Sequence, residues 1–191
     1  MSFYIHYDGK EFHAPSFRQL YAFMRDIVHE NVFTSSASGK PASIVDVGAN
    51  IGSTVLLWQS LWPGVDIVAI EPYPESIKYL KKNTDNITII EKAASNFTGT
   101  LNMSCYSDNT GLAKVTKGGL KVPADKLDNM VERCDFLKID VEGHEFEVLE
   151  GATRLLKQNP YVLIETDSPS KLMFDNIKKI NELNYLMWNN K

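Results

Sequence analysis

The 191-residue sequence has only two cysteines, Cys105 and Cys134, and its apolar runs are short. Two cysteines are too few for a disulfide framework, so the sequence is typical of a reducing compartment, and we expect a cytoplasmic location. A run such as 161–164 is far shorter than a transmembrane helix, and the first eight residues have neither a basic region nor an apolar core. We therefore expect no membrane partner and no signal peptide.

Positive charge is also scarce, because 20 Lys and Arg face 24 Asp and Glu for a net charge of -4. A protein that binds nucleic acid usually has a basic face, so we expect no nucleic-acid partner. The apolar share of 43% and the charged share of 23% are those of a globular domain. Helical spacing of apolar residues predicts a helix from about Phe17 to about Val32. We expect residues 1–40 to be a helical extension and residues 41–191 to be the cofactor-binding domain.

Short β-rich segments alternate with helical patterns in the rest of the chain, which predicts βαβ units around a parallel sheet. The expected class is α/β, with a mostly parallel, doubly wound sheet and flanking helices. The predicted strands are 44–47, 66–70, 87–90, 135–140, 161–165 and 185–188, and the predicted helices are 53–62, 74–83, 145–157 and 169–183. Residues 97–125, rich in Gly, Ser, Thr and Asn, predict an irregular β excursion that is mobile and borders the acceptor side of the site.

The sharpest motif is the glycine-containing loop from Gly48 to Gly52, between a strand and a helix. It departs from the G-x-G-x-x-G pattern of dinucleotide-binding loops. Asp46 at the strand tip would repel a pyrophosphate but suits the cationic ammonium and sulfonium of S-adenosylmethionine. Glu71, at the tip of the second strand, is placed to accept hydrogen bonds from two ribose hydroxyls. The alternative is that Gly48 and Gly52 only form a sharp turn.

A second cluster of ionisable residues, 138–145, follows a buried strand. Carboxylates at close range repel one another, which raises the pKa of some of them toward the range of a general base. Histidine titrates near neutrality, so His144 or Glu142 is the candidate base, with Asp140 holding substrate or cofactor. Asp140, Glu142 and Glu165 are also candidate ligands of a hard cation such as magnesium, although a site without metal is favoured. The alternative is that the acidic residues only favour a helix N-terminus while His144 faces solvent.

The ordered set 45–52, Glu71-Pro72, 93–99, 127–128, 137–145 and 148–152 resembles the FkbM family of S-adenosylmethionine-dependent methyltransferases. The resemblance implies a Rossmann-like class I methyltransferase fold and methyl transfer to a hydroxyl oxygen. It also implies that Asp46, Gly48, Asn50 and Gly52 hold the methionine end of the cofactor, that Glu71 holds the ribose, that Pro72 and Ala94 lie beside the adenine, and that Asp140 lies near the methyl group. The chain is expected to end one strand short of the usual seven-stranded sheet, and residues 1–40 match nothing specific.

The leading hypothesis is therefore O-methylation of a small hydroxylated acceptor, on a sugar or a secondary metabolite, with S-adenosyl-L-methionine as cofactor. A nicotinamide-dependent oxidoreductase and a non-catalytic S-adenosylmethionine-binding protein are the alternatives. Neither the particular acceptor nor the oligomeric state follows from the sequence.

Overall fold

The structure is a computed structural model that describes residues 3–28, 40–105 and 109–190. The chain begins with an antiparallel hairpin of β1 (Phe3–Tyr7) and β2 (Lys10–Ala14), followed by α1 (Phe17–Val28). In the hairpin Phe12 stacks on Phe23 of α1 at 3.7 Å between ring centroids. The sequence analysis predicted α1 but not the hairpin, so the prediction of a wholly helical extension is wrong for residues 3–14. The predicted continuation of the helix to Val32 lies outside the described residues.

A central sheet follows, with β3 (Ser43–Val47), β4 (Asp66–Ile70), β5 (Thr88–Ile90), β10 (Phe136–Ile139), β11 (Tyr161–Glu165), β12 (Asn176–Lys179) and β13 (Asn184–Trp188). Its order is β12-β13-β11-β10-β3-β4-β5. The paired strands are parallel, except that β13 is antiparallel to both β11 and β12. The predicted α/β class with a mostly parallel, doubly wound sheet is confirmed.

Helices cover both faces of this sheet because side chains alternate along each strand and both sets are apolar. One face packs against α2 (Ser53–Leu61) and α3 (Pro74–Asn83), with Trp58 completely buried between Ile44 and Phe136. The other face packs against the short helices α4 (Leu127–Met130), α5 (Glu145–Glu150) and α6 (Thr153–Leu156). The carboxyl edge of the sheet remains open for a site.

Most of the segment that interrupts the alternation forms a second sheet instead of irregular structure. Its strands are β6 (Ala93–Ser95), β7 (Gly99–Ser104), β8 (Lys114–Val115) and β9 (Leu120–Lys126), in the order β6-β9-β7-β8. Before β8, the 3-10 turn Thr110–Leu112 lines the cavity at the central sheet's carboxyl edge.

Two predicted helices differ from the structure. The helix predicted over 169–183 is wrong: a 3-10 turn, Pro169–Lys171, is followed by β12, which pairs with β13 from Asn176 to Lys179. This strand completes a seven-stranded sheet, so the expected missing strand is present. The helix predicted over 145–157 is two helices that are separated at Gly151, where the chain passes so close to β6 that a Cβ would lie 1.9 Å from the Ser95 carbonyl oxygen. Within the described ranges, no helix is long and apolar enough to cross a membrane.

Candidate active site

A cavity of about 650 Å³ runs along the carboxyl edge of the central sheet. It extends from Glu71, just after β4, past the ends of β3 and β10 to Glu165 at the end of β11. Strands in a sheet lie about 4.8 Å apart, so the strands β4 and β11 that precede and carry these two residues are about 14 Å apart across three strand spacings. The cavity volume is in the range of small-molecule sites. Of the residues singled out from the sequence, it is lined by Gly48, Asn50, Glu71, Pro72, Ala94, Asp140, Glu142, His144 and Glu165.

The loop after β3 can approach the end of β10 only because it contains glycine. Gly48 has φ +83°, and a Cβ there would lie 1.8 Å from the backbone oxygen of Asp140. The Gly48 and Ala49 amides both donate to the carbonyl of Ile70, at 3.0 and 3.2 Å. Gly52, with φ +92°, begins α2 against Thr84 and is itself buried. Gly48 therefore lines the floor of the cavity. Gly52 does not line it, so the expected contact of Gly52 with the methionine end is not supported, and Gly52 instead packs against Thr84.

The Glu71 carboxylate is held in position by two backbone amides. Its Oε2 accepts a hydrogen bond from the Asn50 amide at 2.9 Å, and its Oε1 accepts one from the Tyr73 amide at 2.8 Å. Burial raises the pKa of Glu71 from 4.5 to about 7, although these two amides and Lys138 oppose the increase. An ionised carboxylate has about four acceptor positions, so two remain for a ligand after these two bonds.

Asn50 connects the loop to two segments outside the central sheet. Its backbone is left-handed, with φ +48°, and its side-chain oxygen accepts hydrogen bonds from Gln19 Nε2 at 3.0 Å, Thr110 Oγ1 at 2.9 Å and Ser76 Oγ at 3.0 Å. Gln19 and Thr110 are buried and are also hydrogen-bonded to each other at 2.8 Å. The sequence analysis missed both residues, since no local pattern distinguishes a buried glutamine in a helix from an exposed one.

The structure corrects the position expected for Asp46. This residue has no exposed surface and does not line the cavity, so it is not placed to contact the methionine end of a cofactor directly. Its Oδ2 accepts a hydrogen bond from Thr54 at 2.5 Å, and its Oδ1 lies 3.1 Å from Lys138 Nζ. Any repulsion of a pyrophosphate by Asp46 is therefore indirect and is partly offset by the adjacent Lys138 ammonium.

Lys138 links two carboxylates at the ends of neighbouring strands. Its register partner on β3 is Asp46, and Asp140 stands two positions further along the chain, with Oδ2 at 3.4 Å from Lys138 Nζ. Burial alone would lower the pKa of Lys138, but the two carboxylates outweigh it and raise that pKa above its ordinary value. The ammonium therefore stays charged and fixes Asp140, whose side chain is 35% exposed, at the centre of the cavity.

Glu142 and His144 differ in how free they are to take a proton. The pKa of Glu142 is raised to about 7 by partial burial and then by repulsion from Asp140, Glu165 and Glu145. In His144 the Nε2 atom lies 3.0 Å from the Ser95 hydroxyl, and Nδ1 lies 3.6 Å from Glu147. Glu142 is therefore the more available of the two. Among the residues that the structure describes, no group of three His, Cys, Asp or Glu side chains is arranged to hold a metal ion, and this covers the set Asp140, Glu142 and Glu165.

A Rossmann-like sheet with a glycine loop after one parallel strand and an acidic residue after the next is the architecture of proteins that bind nucleotide cofactors. Residues 46–187 match the family model described as the methyltransferase FkbM domain. The chain belongs to this family, which confirms the resemblance seen in the sequence.

Two curated proteins are similar to the chain. Hexuronic acid methyltransferase AglP of Haloferax volcanii is 30% identical in an alignment of 132 positions that covers 63% of this chain and 54% of AglP. Methyltransferase sdnD of Sordaria araneosa is 29% identical over 175 residues, covering 66% of this chain and 67% of sdnD. The chain thus spans about half the length of AglP and two thirds of sdnD.

Among solved structures, the precorrin-6y C5,15-methyltransferase of Geobacter metallireducens GS-15 has a similar fold. The TM-score is 0.55 at 13% identity, with 86% of this chain and 88% of that protein covered. This similarity supports the methyltransferase fold.

Proposed function

We propose that this chain binds S-adenosylmethionine in the cavity and transfers its methyl group to a hydroxyl oxygen of a small polyhydroxylated acceptor. The observation that carries the proposal is the order of groups along one cavity: Glu71 at one end, the Gly48 loop and Asp140 in the middle, and Glu142 and Glu165 at the other end. Membership of the FkbM methyltransferase family implies S-adenosylmethionine as the methyl donor.

The residues on the Glu71 side fit a nucleoside. Glu71 is held by two backbone amides and keeps acceptor positions for a pair of ribose hydroxyls. Pro72 and Ala94 give the adjoining wall an apolar surface against which a base can pack. Gly48 lets backbone line the cavity floor without a side chain. Asn50 is hydrogen-bonded to Gln19 and Thr110, which holds this wall in place. We propose that Asn50 helps to bind the methionine end indirectly, by fixing the conformation of the loop.

When bound, S-adenosylmethionine supplies a methyl group on a sulfonium, which is already a good leaving group. The protein must then align the acceptor oxygen and take its proton. We assign the proton to a carboxylate oxygen of Glu142, because a pKa of about 7 makes that carboxylate basic and still ionised above neutral pH. His144 is assigned a positioning role, since Ser95 and Glu147 flank its two ring nitrogens.

The charge beneath the methyl position also suits a cationic donor. Asp46, Lys138 and Asp140 carry two negative charges and one positive charge, and Asp140 is the member that faces the cavity. The net negative charge favours a sulfonium over an anionic group such as a pyrophosphate. We assign Asp46 an indirect electrostatic role: through Lys138 and Asp140 it contributes to the net negative charge that favours the sulfonium.

Three further observations support the acceptor class, the location and the absence of a nucleic-acid partner in this proposal. AglP is named a hexuronic acid methyltransferase, so a similar protein acts on a sugar acid. The sequence contains two cysteines, too few for a disulfide framework, which is consistent with the proposed cytoplasmic location. The acidic net charge of -4 favours a small-molecule acceptor over nucleic acid.

The test is transfer of an isotope-labelled methyl group from S-adenosylmethionine to a panel of polyhydroxylated acceptors, with detection of the product by mass. We expect transfer to oxygen by the wild type and loss of about one hundred-fold or more in rate for Glu142→Gln, the scale of general base catalysis. Glu132→Gln is the matched control, because Glu132 is exposed and does not line the cavity. Transfer to nitrogen or carbon, or an unchanged rate in Glu142→Gln, would contradict the assignment.

A further inference from the structure

The acceptor half of the cavity, from Asp140 to the turn between β12 and β13, is lined by acidic groups. Four carboxylates line it: Asp140, Glu142, Glu165 and Glu182. Among the described residues that line the whole cavity, Lys138 is the one lysine or arginine. An anionic acceptor would therefore meet several like charges and at most one cation.

The charge of Lys138 is already engaged by protein groups. Its Nζ lies 3.1 Å from Asp46, 3.4 Å from Asp140 and 3.3 Å from the Gly48 carbonyl oxygen, and its side chain is only 7% exposed. Lys114, on β8, acts on Glu142 electrostatically, but it is exposed and does not line the cavity. No described lysine or arginine is thus positioned in the cavity to receive a carboxylate or a phosphate, and the two ring nitrogens of His144 already face Ser95 and Glu147.

The turn that closes this half offers hydrogen-bonding groups on a fixed backbone. Asn181 Oδ1 accepts hydrogen bonds from the Leu183 and Asn184 amides at 3.1 and 2.9 Å, and Asn184 Nδ2 donates to Glu165 at 3.4 Å. Carboxylate oxygens accept hydrogen bonds from hydroxyl groups, whereas they repel anions. This half of the cavity is therefore suited to hydroxyls and unsuited to acids.

From this arrangement we propose that the acceptor is an uncharged polyhydroxylated molecule, and that acceptors bearing a carboxylate or a phosphate are rejected. The inference rests on the proposed methyl transfer and narrows its substrate class. It also separates this chain from AglP, whose name assigns it a hexuronic acid. The shared segment covers 54% of AglP, so the two proteins need not share the walls of the acceptor site.

Matched sugars that differ only at one carbon test this proposal without knowledge of the natural acceptor. Neutral methyl glycosides with gluco, galacto and manno configuration are compared with the corresponding methyl uronides for binding to the S-adenosylhomocysteine complex, by saturation-transfer NMR at low ionic strength. We expect at least one neutral glycoside to bind, and its uronide to bind at least ten-fold more weakly. Added salt should reduce that difference, which a purely steric cause would leave unchanged.

A charge reversal provides the complementary measurement. Glu182 is exposed on the turn, so Glu182→Lys should leave the fold intact and narrow the preference for the neutral glycoside at least three-fold, whereas the control Glu132→Lys should not change it. Equal or tighter binding of the uronides by the wild type overturns the proposal, as does failure of every glycoside to bind. Calorimetry with S-adenosylhomocysteine distinguishes failure of the proposed function from failure of this inference. If the wild type does not bind S-adenosylhomocysteine, the proposed function is refuted. If it binds S-adenosylhomocysteine but prefers the uronides, only this inference is refuted.

Discussion

Replacing Glu71 by glutamine tests the cofactor end of the cavity, because it changes charge and leaves size almost unchanged. Glu71 is 6% exposed and receives hydrogen bonds from the Asn50 and Tyr73 amides. A hydrogen bond to a charged group contributes about 1.5–3 kcal/mol, and glutamine retains one acceptor oxygen in place of two. We expect Glu71→Gln to weaken binding of S-adenosylhomocysteine by roughly ten- to one hundred-fold.

The pH dependence gives this prediction a sign. Because the pKa of Glu71 is about 7 in the free protein and the ionised form accepts the ribose hydroxyls, cofactor affinity should rise with pH through neutrality. The affinity should change by at most about ten-fold per pH unit below the pKa and level off above it. Residue 71 does not titrate in Glu71→Gln, so this contribution to the pH dependence of cofactor affinity should be absent from the variant.

The Glu71 contribution to the free energy of unfolding should fall as the pH rises, whereas cofactor affinity should increase. The increase of the Glu71 pKa from 4.5 to about 7 corresponds to about 3 kcal/mol in favour of the neutral form. Because the folded-state pKa is the higher one, this stabilisation is fully present below about pH 4.5 and is lost as the pH rises through about 7. Glutamine avoids the buried charge but must turn its NH₂ toward one backbone amide, which costs about 1–3 kcal/mol.

The assay is calorimetric titration of S-adenosylhomocysteine into wild type and Glu71→Gln at about pH 6 and about pH 8, on either side of the pKa. Urea unfolding of both proteins at the same pH values gives the stability difference, with Glu132→Gln as the control. Glu142, whose pKa is also raised to about 7, contributes in both proteins and cancels in the comparison. Identical pH slopes in the two proteins, or unchanged cofactor affinity in the variant, would refute the role of Glu71.

Three further predictions concern the loop, the buried ion pair and the second sheet. Gly48→Ala should prevent stable folding or cost several kcal/mol by urea unfolding, because its Cβ would lie 1.8 Å from the Asp140 carbonyl oxygen at φ +83°; full stability would contradict this. Lys138→Met should lower the free energy of unfolding by about 3–5 kcal/mol by leaving Asp46 buried without its cation, and adding Asp46→Asn should recover part of the loss; strictly additive losses would argue against the pairing. Hydrogen exchange should be faster in residues 97–105 and 109–125 than in the buried strand β3 and should slow when S-adenosylhomocysteine binds; equal protection of these residues and β3 in the free protein would contradict this prediction.

Local patterns predicted the part of the site that lies on the buried parallel strands. The stretches around Gly48, Glu71 and Asp140 combine a strand, a turn and a helix within a few residues, so their place at the carboxyl edge follows from chain order. Glu71 accordingly lines the cavity, and so do Pro72 and Ala94, which the family resemblance implied.

Long-range contacts explain what the sequence did not reveal. Lys138 and Asp46 are 92 residues apart and meet only through the register of β10 against β3, so neither the pairing nor the burial of Asp46 has a local signal. Strand β12 has mixed polarity, with an alternating pattern too weak to compete with a helical one, and it is a strand because β13 is available to pair with it. Gln19 reaches Asn50 only after the hairpin has packed α1 against the loop.

The central claim is that the cavity binds S-adenosylmethionine and not a nicotinamide cofactor. Calorimetric titration of the wild-type chain with S-adenosylhomocysteine, and in parallel with NADH, measures this without an acceptor. We expect saturable one-to-one binding of S-adenosylhomocysteine that is lost or strongly weakened in Glu71→Gln, and we expect no binding of NADH. Binding of NADH with no response to S-adenosylhomocysteine would contradict it.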